Sequence, residues 1–175
     1  MDSTLGFILL AIIFVVLVSA GYAGLRAAPW VPLGSRDVER ALQLAEVKPG
    51  ELVLDLGAGD GRFLIAAVKK FGARAIGYEC SVGPWLMGQI RLTLSGVRGS
   101  ASLRFRDFFK ESWKSADVIT CFLTPMAMRK VETKFVFNAQ PGCRLVSYAF
   151  AFPNRPPDRT DKPKPNLGRL YLYQR

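Results

Sequence analysis

A chain of 175 residues has room for one globular domain with a real core and not for two, since domains run to about 100 to 200 residues. It contains no histidine, which excludes Ser-His and Cys-His nucleophile pairs and His-ligated metal sites, so hydrolase chemistry of the common kinds is set aside and no metal is expected. The formal net charge of +10 admits an anionic membrane surface, a nucleic acid or an acidic protein as partner, and the hydrophobic fraction of 50% is more than a soluble domain usually shows.

That apolar excess sits at the N-terminus. No charged residue occurs from Ser3 to Leu25, and Leu5 to Val18 is almost wholly aliphatic or aromatic, long enough for the about 20 apolar residues that a bilayer core requires. Residues 1–25 therefore read as a transmembrane anchor. The small residues Ser19, Ala20, Gly21, Ala23 and Gly24 could offer a cleavage site, but a signal peptide opens on a basic region and this chain opens Met-Asp, which favours a retained anchor. Arg26, Arg36 and Arg40 follow the segment and place the rest of the chain in the cytoplasm by the Lys and Arg bias rule. With an anchor present, the membrane surface explains the positive charge more simply than a nucleic acid does. A bacterial plasma membrane is expected over a mitochondrial inner membrane, because the N-terminus lacks an Arg-rich amphipathic segment.

A connector follows at residues 26–34, punctuated by Pro29 and Pro32, and a domain at 35–175. Ser35 is placed to cap a helix whose apolar positions Val38, Ala41, Leu42 and Ala45 share a face. Glu51 to Leu56 is a short apolar run of the kind that forms a central parallel strand. A helix from about Arg62, with Leu64, Ala67, Val68 and Phe71 on one stripe, ends at Gly72. A second strand covers Arg74 to Tyr78, a helix Pro84 to about Leu94, a third strand Ser102 to Arg106 and a fourth Val118 to Phe122. A helix over Met126 to Phe137 and a fifth strand over Arg144 to Phe150 follow. Strands alternating with helices predict an α/β, Rossmann-like, mostly parallel twisted sheet. Phe152 to Pro165 carries five prolines and is expected to form a loop without regular structure. Gly168 to Tyr173 alternates Leu170 and Leu172 with tyrosines and reads as a closing edge strand. Cys80, Cys121 and Cys143 have no ligand spacing and fall in or beside apolar runs, so they are expected as reduced, buried thiols.

The chemical signal is Val53-Leu54-Asp55-Leu56-Gly57-Ala58-Gly59-Asp60-Gly61-Arg62, a strand ending in an acid and running into a glycine turn at a helix start. Glycines there allow positive φ and let backbone approach a nucleotide-like ligand. The dinucleotide fingerprint needs G-x-G-x-x-G. Here the third glycine comes one residue early, Arg62 stands where a small residue is needed, and Asp55 and Asp60 would repel a pyrophosphate. A cationic ligand is favoured.

This stretch resembles the first motif of the class I S-adenosylmethionine-dependent methyltransferases. The resemblance implies that Asp55 lies near the methionine end of the ligand, with Gly57, Gly59 and Gly61 lining the turn. It implies that Glu79, 24 residues after Asp55, accepts the ribose hydroxyls, and that Asp107 and Phe108 meet the adenine amine and ring. A finer resemblance is to the small membrane-anchored lysine methyltransferases of the ATP synthase c-subunit and the adenine nucleotide translocase, and to their bacterial relatives. It is carried by the anchor, by APWVP (Ala28 to Pro32), LGAGDGR (Leu56 to Arg62), GYE with PWL (Gly77 to Glu79, Pro84 to Leu86) and DFFKESWK (Asp107 to Lys114). Cys80 to Gly83 and the Pro-rich C-terminal stretch depart from that family.

The resemblance implies a lysine of a membrane-associated protein as methyl acceptor. A lipid or quinone-like acceptor, and a non-catalytic membrane module, stay open as alternatives. Phe122-Leu123-Thr124-Pro125 stands where methyltransferases acting on base or amide nitrogens usually carry Asn/Asp-Pro-Pro-aromatic, so nucleic acid is disfavoured as the acceptor. Phe122, Thr124, Pro125 and Trp30 are the acceptor-pocket candidates, and no catalytic base is identifiable.

Overall fold

A computed structural model of the protein describes residues 3–175. Met1 and Asp2, the first residues of the expected anchor, lie outside the described residues. Helix α1 runs unbroken over Ser3–Arg26 and is apolar all round, with nearly every side chain before Ala23 exposed. In length and composition it could cross a membrane.

The domain then alternates as expected: α2 (Ser35–Leu44), β1 (Leu52–Leu56), α3 (Arg62–Phe71), β2 (Arg74–Glu79), α4 (Val82–Leu94), β3 (Ala101–Phe105), β4 (Val118–Cys121), α5 (Pro125–Asn138), β5 (Arg144–Tyr148), β6 (Arg159–Asp161) and β7 (Leu170–Gln174). Among the described residues, seven strands form one sheet in the order β3-β2-β1-β4-β5-β7-β6. β3 to β5 are parallel neighbours through β1, while β7 runs antiparallel to both β5 and β6. Chain order reverses beside β1, between β2 and β4, and open α/β sheets hold ligands at such a switch point, beyond the carboxyl ends of their strands.

Period-two alternation divides the core. Val53 packs with Val38, Leu42 and Leu64 under α2 and α3, whereas Leu54 and Leu56 pack with Ile119, Met128 and Phe135 under α5. Asp55 thus shares the face of Val53, at the end of the strand where the sheet opens.

Three local expectations are corrected. Ser35 is the first helical residue of α2, not its cap: Gly34 takes the extended capping geometry without a side-chain bond, and the first-turn acid Asp37 supplies the negative charge that a helix start favours. The Pro-rich stretch holds regular structure after all, since Arg159–Asp161 contains no proline and can pair antiparallel with β7, tied down by the Asp161 to Arg40 ion pair at 2.6 Å. β7 is consequently not the sheet edge. Its Leu170, Leu172 and Tyr173 are all buried, and the short, exposed β6 takes the edge instead.

Candidate functional site

The glycine turn leaves β1 with Gly57, Gly59 and Gly61 at φ of 77°, 53° and 75°, a left-handed run open to glycine at little strain. Gly61 then caps α3. The turn lies close under its neighbours: a Cβ on Gly59 would stand 2.5 Å from Trp30 Nε1, and one on Gly61 2.6 Å from Leu92 Cδ1. The sequence rule and the packing therefore ask for glycine independently.

Glu79, at the end of β2, locks this turn. Its Oε2 accepts the Gly59 N–H at 2.8 Å, and its Oε1 accepts those of Cys80 and Ser81 at 2.8 and 2.7 Å. Burial pushes its carboxyl above the ordinary range, and the three N–H bonds from Ser81, Gly59 and Cys80 pull against that. Asp55 is 3% exposed and accepts the Thr120 hydroxyl at 2.8 Å. Burial raises it to about 7 against the Thr120 bond, with the charges of Glu79 and Asp60 adding to the rise. Two buried carboxylic groups with raised pKa at the end of a central strand mark a place where charge is awaited.

Asp60 behaves differently. Arg62 grips it through Nε at 2.8 Å and Nη2 at 2.6 Å, and Arg91 also pairs with it. Burial would raise its carboxyl, but the Arg62 bonds and the Arg62 and Arg91 charges hold it below the ordinary range. Its charge is neutralised within the fold, so the repulsion expected toward a pyrophosphate rests on Asp55 and Glu79 and not on Asp60.

These groups floor a cleft of about 310 Å³, at the small end of the size typical for a ligand pocket. Asp55, Gly57, Gly59, Glu79 and Phe108 line it, as do Trp30 and Phe122. Phe122 is held edge-on to Tyr148 at 4.9 Å. Thr124 and Pro125 do not line the cleft. The Thr124 hydroxyl donates to the Ala27 carbonyl at 2.6 Å and accepts from the Ala127 N–H to cap α5, while Pro125 occupies the first helical turn. Asp107 also stays outside: it pairs with Arg26 at 3.0 Å and accepts the Phe109 N–H at 2.9 Å. The segment after it is clamped by Lys134, whose ammonium donates to the carbonyls of Phe108, Phe109 and Glu111, which fixes Phe108 against the cleft.

Sequence reasoning missed one wall. Val16, Ala20, Ala23 and Ala27, at helical spacing along α1 and its exit, line the same cleft as the glycine turn. For Ala20 and Ala23 the signal was the run of small residues that could be read as a cleavage site. Thr120 was missed too, because a threonine inside an apolar strand is unremarkable until β1 and β4 pair Asp55 with it. Cys80 is half-buried at the cleft while Cys121 and Cys143 are buried, and burial pushes the three thiols up to about 11, 12 and 12, so none is a ready nucleophile.

Known proteins match this arrangement. The family model described as the ANTKMT methyltransferase domain matches residues 55–159. The ATP synthase c-subunit lysine N-methyltransferase of Rattus norvegicus is 37% identical over 134 residues, 75% of this chain and 60% of that protein. A protein-lysine N-methyltransferase of Saccharolobus islandicus is 32% identical over 148 residues, 83% of this chain and 92% of that one. The crystal structure of an RNA methyltransferase from Salinibacter ruber in complex with S-adenosyl-L-homocysteine superposes with a TM-score of 0.79 at 30% identity, covering 82% of this chain and 93% of that one. The chain spans only 53 to 60% of the mammalian c-subunit methyltransferases that it matches. The fold is that of the class I methyltransferases, and on the extent of the family match the chain belongs to the ANTKMT methyltransferase domain family.

Proposed function

We propose that the protein uses S-adenosyl-L-methionine to methylate the ε-amine of a lysine in a membrane-associated protein, from the cytoplasmic face of a plasma membrane. The observation that carries this reading is the make-up of the cleft: two buried acidic groups and a glycine turn share its lining with the apolar helix α1. The ligand suits the acidic groups. S-adenosyl-L-methionine, when bound, supplies a methyl group on a cationic sulfur, and raised carboxyl groups return to their ionised form beside a cation. Asp55 would face its methionine end, the glycine turn would pass beneath it and Phe108 would lie against its adenine. Glu79 keeps part of its lone-pair capacity beyond three N–H bonds, and that remainder is what a ribose hydroxyl would engage.

The acceptor side requires an uncharged nitrogen. Deprotonating a lysine of pKa about 10.4 at pH 7 costs about 4.6 kcal/mol. An apolar wall disfavours the ammonium and lowers that cost, and Val16, Ala20, Trp30 and Phe122 supply such a wall. The chain then mainly positions the amine and excludes water. Arg26 at the end of α1 pairs with Asp107, so the helix is built into the domain, which supports a retained anchor. The names of the rat and Saccharolobus relatives support a lysine acceptor. The RNA methyltransferase neighbour raises a nucleic-acid acceptor as the competing reading, but Phe122 to Pro125 offer no carboxylate or amide to orient a base nitrogen.

The test is transfer of tritiated methyl from S-adenosyl-L-methionine into a membrane fraction from cells lacking the protein, with wild type and Glu79→Ala compared. Label in a protein band, absent with the variant, is the expected result. Label in the lipid extract or in RNA would replace the lysine reading with the corresponding acceptor.

A further inference from the structure

We infer that the outer face of α4, continued by Phe105 on the edge strand β3, is a second membrane-contacting element that seats the domain on an anionic phospholipid surface beside α1. This rests on the anchored reading above and adds to it where the domain meets the lipid.

The first ground is length. From Val16 onward α1 is bound to the domain. Val16, Ala20 and Ala23 line the cleft, the Ser19 hydroxyl accepts the Val82 N–H at 3.1 Å, and Arg26 pairs with Asp107. The stretch left free, residues 3–15, covers only about 20 Å at about 1.5 Å per residue, against a hydrocarbon core of about 30 Å. If α1 crosses the bilayer, the contact between Ser19 and the start of α4 must sit at membrane level, roughly 10 Å along the helix from Arg26. The start of α4 cannot then hang clear in the cytoplasm.

The second ground is what α4 presents there. Leu86, Met87, Ile90 and Leu94 fall on one helical stripe and are 48, 43, 61 and 83% exposed. Gly88 and Leu92 on the opposite side are buried against the sheet. Trp85 carries the stripe across to Phe105 through an edge-on ring contact at 5.5 Å, and Phe105 is itself exposed. A soluble domain seldom leaves so many large apolar side chains together in water.

The third ground is charge. From Val82 to Arg106 the chain has Arg91, Arg98, Arg104 and Arg106 and no Asp or Glu. Among the described residues, Arg98 bonds to the neutral partners Gln89 and Thr93. Arg91 pairs with Asp60 and Arg106 with Glu111, which leaves Arg98 and Arg104 as the cations beside the stripe, and an apolar stripe with aromatic rings bordered by arginines is the composition of helices that lie in the interface of an anionic bilayer. Seated this way, the cleft, which Ser81 and Pro84 help to line, opens at the interface where a lysine of a membrane protein emerges.

The test places a bimane fluorophore at Leu94→Cys, at Phe137→Cys on the exposed side of α5 across the sheet, or at Leu10→Cys within α1. All are made in full-length protein carrying Cys80→Ala and reconstituted in vesicles of roughly seven parts phosphatidylcholine to three parts phosphatidylglycerol, with doxyl lipid as quencher. The probes at Leu10 and Leu94 should each be quenched at least about twofold more than the probe at Phe137. Omitting phosphatidylglycerol should lower the Leu94 signal and leave the Leu10 signal unchanged. Quenching at Leu10 with Leu94 no more quenched than Phe137 would overturn the inference, assign the α4 stripe to a protein partner or a second copy, and leave the anchor standing. Loss of quenching at Leu10 would overturn the anchor and this inference with it. A Leu94 signal indifferent to phosphatidylglycerol would refute the anionic surface.

Discussion

The two sides of the cleft are built by different means. The floor is local: Asp55, the glycine turn and Glu79 come from adjoining strand ends, and N–H groups of the turn and of the residues after β2 donate to the Glu79 carboxylate. The wall is remote, made of α1 and the connector, and it is held by a few side-chain bonds such as Arg26 to Asp107 and Thr124 to Ala27. On the proposed function, the floor meets the cofactor and the apolar wall of α1 and the connector meets the acceptor. Substitutions should therefore separate the two.

The largest effect is expected on the floor. Glu79→Ala leaves the N–H of Gly59 at the turn and those of Cys80 and Ser81 after β2 without their acceptor, and each unsatisfied buried donor costs about 1 to 3 kcal/mol. Methyl transfer should fall to background and the melting temperature should drop, measured by activity and thermal scanning. A variant that melts like wild type would show that the turn holds without its lock. Asp55→Asn comes next, keeping shape and removing charge. Affinity for the sulfonium cofactor should fall at least about tenfold, or about 1.4 kcal/mol, while the acceptor KM stays put in calorimetry and kinetics.

The same group sets a pH dependence. Asp55 rises to about 7 in the fold from about 3.9 unfolded, so the folded state holds its proton more tightly. Its contribution to stability is complete below about pH 4 and is lost as pH climbs through about 7. A cation prefers the ionised carboxylate, so cofactor affinity should strengthen over that same climb, and the slope should flatten in Asp55→Asn. Equal slopes in the two proteins would take the titration away from Asp55.

On the wall, Ala20→Trp should lower kcat/KM for the protein acceptor about tenfold by filling the apolar side of the cleft, with cofactor affinity changed less than about twofold. A matching loss of cofactor binding would erase the distinction between floor and wall. The smallest effect is Arg26→Met. Its side chain is 35% exposed although that of Asp107 is only 8%, and Asp107 keeps the Tyr22 hydroxyl and the Phe109 N–H as partners, so the loss of stability should stay near about 1 kcal/mol, the upper end for exposed pairs, while crosslinking between α1 and the Asp107 loop should weaken.

The alternation of strands and helices, the apolar helix at the N-terminus and the floor of the cleft were all legible in the order of the amino acids. Those are short-range matters: a period of two or 3.6 reports which face is buried, and a glycine turn between Leu56 and Arg62 is dictated by φ values that few other residues tolerate. Which polar groups face one another emerged only with the folded chain. Asp107 follows the third strand just as an adenine contact should, yet it pairs with an arginine 81 residues away. Thr124 sits in the acceptor-pocket position, yet its hydroxyl is committed to the Ala27 carbonyl. Asp60 was a free negative charge on paper and is neutralised by Arg62 and Arg91 in the fold. No local pattern carries such pairings, because a hydrogen bond or ion pair between distant residues depends on where the chain returns in space. The same holds for Val16, Ala20 and Ala23, whose composition marks them as part of an apolar helix and which only packing turns into a wall of the cleft.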